Sequence, residues 1–186
     1  MRYRKSEKGF TIIELVVVIL LLGILTATAL PRFMDVTDQA HTAVVDGVTG
    51  GLATGVALAR AQWFGTNRPA TLSNFGDGTV QMSTNGYPTG VTGGIGGSSA
   101  NCVTVFSDVL QGGRPTTLTA TQAAASQPTT AEVVAAGYTQ DFAVFGSVTS
   151  TATCFYVYTA QGAAYSAPVI EYDSTIGEVY KWANSL

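Results

Sequence analysis

The sequence predicts an α+β chain, one long N-terminal helix followed by an antiparallel β-sheet head. Three observations predict it. An uncharged apolar run lies near the start, and an apolar stripe at helical spacing continues it to about Phe64. From residue 66, short β-forming runs alternate with Gly, Pro, Asn, Ser and Thr. Only 11% of the 186 residues are charged and 46% are hydrophobic. Ordinary globular chains carry about 25% charged residues. The deficit points to packing against lipid or against copies of the same chain.

The first element begins with a basic head. Arg2, Arg4, Lys5 and Lys8 are offset only by Glu7 before residue 10. Leu15 to Pro31 holds no charge, and reaching back to Phe10 adds only Glu14. A bilayer helix needs about 20 apolar residues, so residues 10–31 read as a membrane span. A basic flank of this kind stays cytoplasmic. A secretory signal peptide is the first plainer reading, but its apolar core is about 7–15 residues. Thr26-Ala27-Thr28-Ala29 is a mediocre cleavage site for one, and the helical pattern runs past it. A signal anchor, the second reading, leaves Glu14 unexplained. A carboxylate inside hydrocarbon costs about 3 kcal/mol or more, which marks it as functional.

The stretch Lys8-Gly9-Phe10-Thr11-Ile12-Ile13-Glu14-Leu15 resembles the prepilin signal of type IV pilins and type II secretion pseudopilins. The resemblance implies the type IV pilin fold and a leader peptide, residues 1–9, removed by a membrane prepilin peptidase. Gly9 then ends the leader, Phe10 becomes the N-methylated first residue, and Glu14 is the fifth. The residue types suit those roles. Gly9 carries no side chain to obstruct a peptidase cleft. The new Phe10 amine and Glu14 are opposite charges with no other partner in the apolar run. Pairing between copies would offset much of a penalty of about 3–5 kcal/mol and select the register of assembly.

Beyond Pro31, the residues Phe33, Val36, Ala40, Val44, Val48, Leu52, Val56, Ala59 and Trp63 form a stripe spaced by three or four. A helix from residue 10 to 64 would be roughly 80 Å long, with Gly65 as its C-cap. Its second half is expected to pack on the head, with Gly47, Gly50, Gly51 and Gly55 close against the sheet. Pro31 removes a backbone hydrogen bond and should loosen the helix. By similarity to type IV pilins, Gly23 to Pro31 is the segment expected to melt on assembly.

The head, residues 65–186, is read from turns and strands. Asn85-Gly86 is a turn signal, and the glycine-rich run Thr92 to Ser99 is a loop without phosphate-cradle context. Val103 to Leu110 fits either helix or strand, and Thr116 to Thr130 is an exposed stretch open to glycosylation. Strands are expected at Asp141–Phe145, Thr153–Thr159, Ala167–Tyr172 and Glu178–Trp182. Asp173 to Gly177 reads as a hairpin turn rather than a calcium loop. Cys102 and Cys154 are the only cysteines, and export favours a disulfide between them. Leu30-Pro31-Arg32-Phe33, Ala61-Gln62-Trp63-Phe64, Asn85-Gly86-Tyr87-Pro88 and the widely spaced cysteines resemble mannose-sensitive haemagglutinin (MSHA-type) pilins.

His41, the only histidine, has no evident nucleophile to serve, and no metal-ligand cluster or cofactor motif stands out. The chain therefore reads as a non-enzyme without cofactor or metal. From residue 10 onward, five basic residues face eleven acidic ones, which disfavours nucleic acid. The expected partners are further copies in a helical filament, the inner membrane before assembly, the prepilin peptidase and the pilus assembly platform. A surface glycan or host receptor is an admitted partner of the finished fibre. The precursor is expected in the inner membrane and the product in an extracellular pilus, serving attachment or motility. The alternative is a type II secretion pseudopilin or minor pilin that moves or binds a cargo.

Overall fold

The computed structural model describes residues 9–76, 78–90, 98–110, 117–119, 128–136, 140–147, 152–161 and 168–182. The chain is α+β. Helix α1 runs Ile12–Gly65 and is followed by strands β1 (Thr71–Phe75) and β2 (Gly78–Gln81), then helix α2 (Ser99–Val109). Strand β3 (Thr117–Thr119), helix α3 (Thr130–Ala136) and strands β4 (Phe142–Gly146), β5 (Thr153–Tyr158), β6 (Val169–Asp173) and β7 (Glu178–Trp182) complete it. Two compact units divide the chain between Thr42 and Ala43.

In the first unit, every described apolar side chain from Phe10 to Leu25 that is larger than alanine lies exposed. An 18-residue window of α1 there has a mean hydropathy of 2.7 and no burial, so the helix is long and apolar enough to cross a membrane. Helical hydrogen bonding continues through Pro31. Pro31 has no N–H, so the Ala27 carbonyl loses its donor.

In the second unit, α1 buries Val45, Leu52, Val56, Ala59 and Trp63. The apolar stripe read from the sequence departs from this set. Val44 is exposed where Val45 is buried, and Phe33 and Val36 are exposed. The reason is geometric. Steps of four advance a helix by about 400°, so each adds roughly 40° of drift. The steps from Val36 to Val56 therefore wind the stripe around the helix. The buried set, spaced 7, 4, 3 and 4, returns to one face. Helical glycines also differ from expectation. Gly51 and Gly55 pack against Leu110 and Val109 at the end of α2, not against the sheet, while Gly47 and Gly50 have open space beside them.

Strands β3 to β7 form one sheet in the order β3-β4-β5-β6-β7. The pairs from β4 to β7 are antiparallel, and β3 joins parallel to β4. This parallel edge falls inside the stretch Thr116 to Thr130, read from sequence as an exposed loop, and α3 begins at its last residue. Alternation sorts the sheet's side chains into two layers. Phe142, Val144, Cys154, Tyr156, Tyr158, Ile170 and Tyr172 join Val45, Leu52 and Val56 of α1 and Val105, Phe106 and Val109 of α2. Ala143, Phe145, Phe155, Val157 and Val169 pack on the opposite side with Val133 of α3 and Trp182. Both faces are covered, so β4 and β5 are buried along their whole length. The β1-β2 hairpin closes a separate cluster around Ala59 and Trp63 with Leu72, Phe75, Val80 and Met82.

The cysteines bond as expected. Cys102 of α2 and Cys154 of β5 lie 52 positions apart in sequence, with a Cα–Cα distance of 5.5 Å. Tyr156 covers this link. Its hydroxyl donates to the Cys102 carbonyl at 3.0 Å, and its ring stacks on Phe106 at 4.5 Å. Lys181 of β7 forms an ion pair with Asp46 of α1. The glycine-rich segment 91–97 and most of 111–127 lie outside the described residues.

Candidate assembly and processing site

The sequence places the site where an unstructured residue pair meets the start of a helix. Gly9 and Phe10 precede α1 and adopt no regular structure. Nothing lies within 4 Å of where a Cβ on Gly9 would stand, and Phe10 is 89% exposed. Access is therefore open on both sides of the Gly9–Phe10 bond among the described residues. The basic leader, residues 1–8, lies outside them.

Thr11 is the N-cap of α1 and Glu14 is its N3 residue. The Glu14 Oε2 accepts from the Thr11 backbone N–H at 2.8 Å and from the Thr11 hydroxyl at 2.7 Å. In return, the Glu14 N–H donates to Thr11 Oγ1 at 3.4 Å. This is a reciprocal capping box, which satisfies donors that a helix start leaves unpaired. The helix dipole also favours a carboxylate in the first turn. Sequence reasoning treated Glu14 as lacking a partner in the apolar run; the structure corrects this, since Thr11 is its partner. The missed signal was Thr-x-x-Glu before an apolar run, a capping pattern readable without coordinates. One carboxylate oxygen does the capping. Oε1 makes no hydrogen bond among the described residues, so Glu14 can cap its own helix and still accept from a cation.

Gly23 and Pro31 both sit inside continuous helix. Between them, the Thr26 hydroxyl donates to the carbonyls of Leu22 and Gly23 at 2.8 and 3.0 Å, and the Thr28 hydroxyl donates to that of Leu25 at 3.0 Å. Such back-bonding competes mildly with helical geometry and accompanies bending. The segment thus combines a glycine, a missing donor and two threonines that draw on main-chain carbonyls.

Other regions offer little chemistry. Among the described residues, no group of three or more His, Cys, Asp or Glu could hold a metal ion. A cleft of about 740 Å³ is lined by Gly50, Gly51, Thr54, Leu58, Phe75 and Leu110 among others and presents no charged side chain. Arg60 and Arg68 stack near the end of α1, with the Arg60 guanidinium 4.2 Å from the Tyr87 ring centre and that of Arg68 5.2 Å from Phe64. His41 is half-buried on α1.

A family model for the prokaryotic N-terminal methylation motif matches residues 4–30, across this helix start. The chain carries that methylation motif. It also has type IV pilin relatives. The chain is 51% identical over 55 residues to the type IV narrow pilus major component PilA5 of Thermus thermophilus, covering 30% of this chain and 47% of that one. It is 46% identical over 44 residues to the type II secretion system core protein G of Pseudomonas aeruginosa, covering 24% and 31%. With the type IV major alpha-pilin of Moraxella bovis the identity is 48% over 42 residues, covering 23% and 26%. The matched segments span less than half the length of each of these relatives. No solved structure matches the chain. The methylation motif encloses Gly9, Phe10, Thr11, Glu14 and Gly23 and stops one residue before Pro31.

Proposed function

We propose that this chain is the precursor of a type IV pilin, a structural filament subunit rather than an enzyme. The observation that carries this reading is the methylation motif leading straight into an exposed apolar helix. Residues 1–9 are the leader, and a prepilin peptidase cuts after Gly9. Phe10 is then N-methylated and stands just before α1, Ile12–Gly65, which the membrane holds by residues 10–31 until assembly. Residues 65–186 form the disulfide-bonded head. The Phe10 amine of one copy pairs with the Glu14 Oε1 of another, which removes two isolated charges from an apolar environment. Assembly melts the helix locally between Gly23 and Pro31. The product is an extracellular fibre built on the assembly platform, acting in attachment or motility and able to meet a surface glycan or host receptor through its heads.

Mass spectrometry of sheared surface fibres tests this. The expected subunit begins with N-methylated Phe10 and contains the Cys102–Cys154 bond. Fibres containing the uncut 186-residue chain, or a chain cut elsewhere, would overturn the processing assignment. Similarity to the secretion-system core protein favours a second reading, a pseudopilin confined to the cell envelope. Abundance in the sheared fraction supports the pilin, whereas retention in the envelope with the same processed N-terminus supports the pseudopilin.

A further inference from the structure

Beyond Pro31, α1 repeats the charge order of its own start. The Phe10 amine precedes Glu14 by four residues, and Arg32 precedes Asp35 and Asp38 by three and six. Arg32, Asp35 and Asp38 are all exposed. Between them lie Phe33, Met34 and Val36, which are 70%, 65% and 60% exposed outside the apolar span. Arg32 forms no ion pair with either aspartate among the described residues. A cation before an anion is the weaker order for pairing along a single helix.

Between copies that order becomes favourable. A parallel copy displaced by four helical residues, about 6 Å, moves the Phe10 amine towards the level of Glu14. The same displacement sets Arg32 level with position 36 of the other helix, between Asp35 and Asp38. Around the helix, Asp35 lies about 60° and Asp38 about 120° from Arg32. One helix therefore turns its cation towards one neighbour and its carboxylates towards another, the pattern of a repeating heterologous contact. We propose that Arg32 of one copy is held between Asp35 and Asp38 of the next, a second ionic register. This rests on the staggered Phe10–Glu14 pairing proposed above.

The test uses the full chain in cells that assemble it. Arg32→Glu alone, or Asp35→Arg with Asp38→Arg, should lower sheared-fibre yield by about tenfold through like-charge contact. The triple charge swap should restore it. An Arg32→Cys, Asp35→Cys chain mixed into wild-type fibres should give reducible dimers, since the native cysteines are buried and bonded. Fibres insensitive to either reversal overturn the proposal. So does a triple swap no better than the reversals at equal membrane accumulation, or mixed fibres without dimers. Loss of fibres in Glu14→Gln alongside indifference at residues 32–38 would leave the Phe10–Glu14 pairing standing alone. Normal fibres from Glu14→Gln with cysteine dimers would remove that pairing and keep the Arg32 contact.

Discussion

Thr11 and Glu14 close a reciprocal hydrogen-bonded box at the first turn of α1, and the Glu14 carboxylate uses only Oε2 to do so. Cap and charge are therefore separable by mutation. Glu14→Gln keeps a side-chain oxygen for the cap and removes the anion. It should preserve the helix start and lose fibres. Thr11→Ala keeps the anion and removes the N-cap, at about 1 kcal/mol. Hydrogen exchange at Ile13 to Leu15 in detergent should speed up by about fivefold in Thr11→Ala and stay unchanged in Glu14→Gln. Normal fibres from Glu14→Gln would refute the proposed role of the charge.

Two glycines on the same helix should respond with opposite signs. A methyl group at Gly55 would stand 2.5 Å from the Val109 Cγ1 and 2.9 Å from its carbonyl oxygen. The second contact is backbone and cannot swing away, so Gly55→Ala should destabilise the head by about 1–3 kcal/mol. At Gly47 no atom lies within 4 Å, so Gly47→Ala should stabilise by up to about 1 kcal/mol through helix propensity. Urea midpoints of the detergent-solubilised chain, followed by tryptophan fluorescence, would check both. An unchanged midpoint in Gly55→Ala would mean that α2 gives way.

The contrast shows where sequence is informative. Hydropathy and the Gly-Phe-Thr-Ile-Ile-Glu signal need only local order, and they located α1, Glu14 and a stretch long and apolar enough to cross a membrane. The later hairpins were legible from Asp173 to Gly177 and the β-formers around it. Val44 against Val45 was not, because a few tens of degrees of drift per turn decide which valine faces the core. Nor was β3, whose parallel pairing with β4 joins Thr117 to Phe142 across a long connection. Thr11 is legible in principle, since the capping pattern lies within four residues and needs no tertiary contact.

The buried bond between Cys102 and Cys154 ties α2 to the central strand β5. Closing a loop of that length stabilises by about 4 kcal/mol on the chain-entropy model. Replacing both cysteines with serine should lower the urea midpoint accordingly and raise protease sensitivity in the head. Because neither residue is exposed, reductant should act slowly on the folded chain and quickly once urea opens it. Rapid reduction without denaturant would contradict the burial.

Tyr156 and Tyr172 give the head a pH dependence at the alkaline end. Burial pushes the Tyr156 phenol far above its ordinary value. Burial raises Tyr172 well above its own, helped by the neighbouring Tyr156 and Asp173. Their hydroxyls donate to the carbonyls of Cys102 and Pro88, bonds that ionisation would abolish. In the unfolded chain both titrate near pH 10. Raised folded values mean that the unfolded state releases protons first. The stabilisation is then complete below about pH 10 and falls as pH climbs towards the folded values. The expected result is a urea midpoint that drops steeply above pH 10, with tyrosinate absorbance from these two rings appearing only on unfolding. Tyr156→Phe should shallow that drop while lowering the midpoint at neutral pH, since the Cys102 carbonyl loses a buried donor worth about 1–3 kcal/mol. Should Tyr156 ionise near pH 10 in the folded chain, its packing against Phe106 and the disulfide must be open to water.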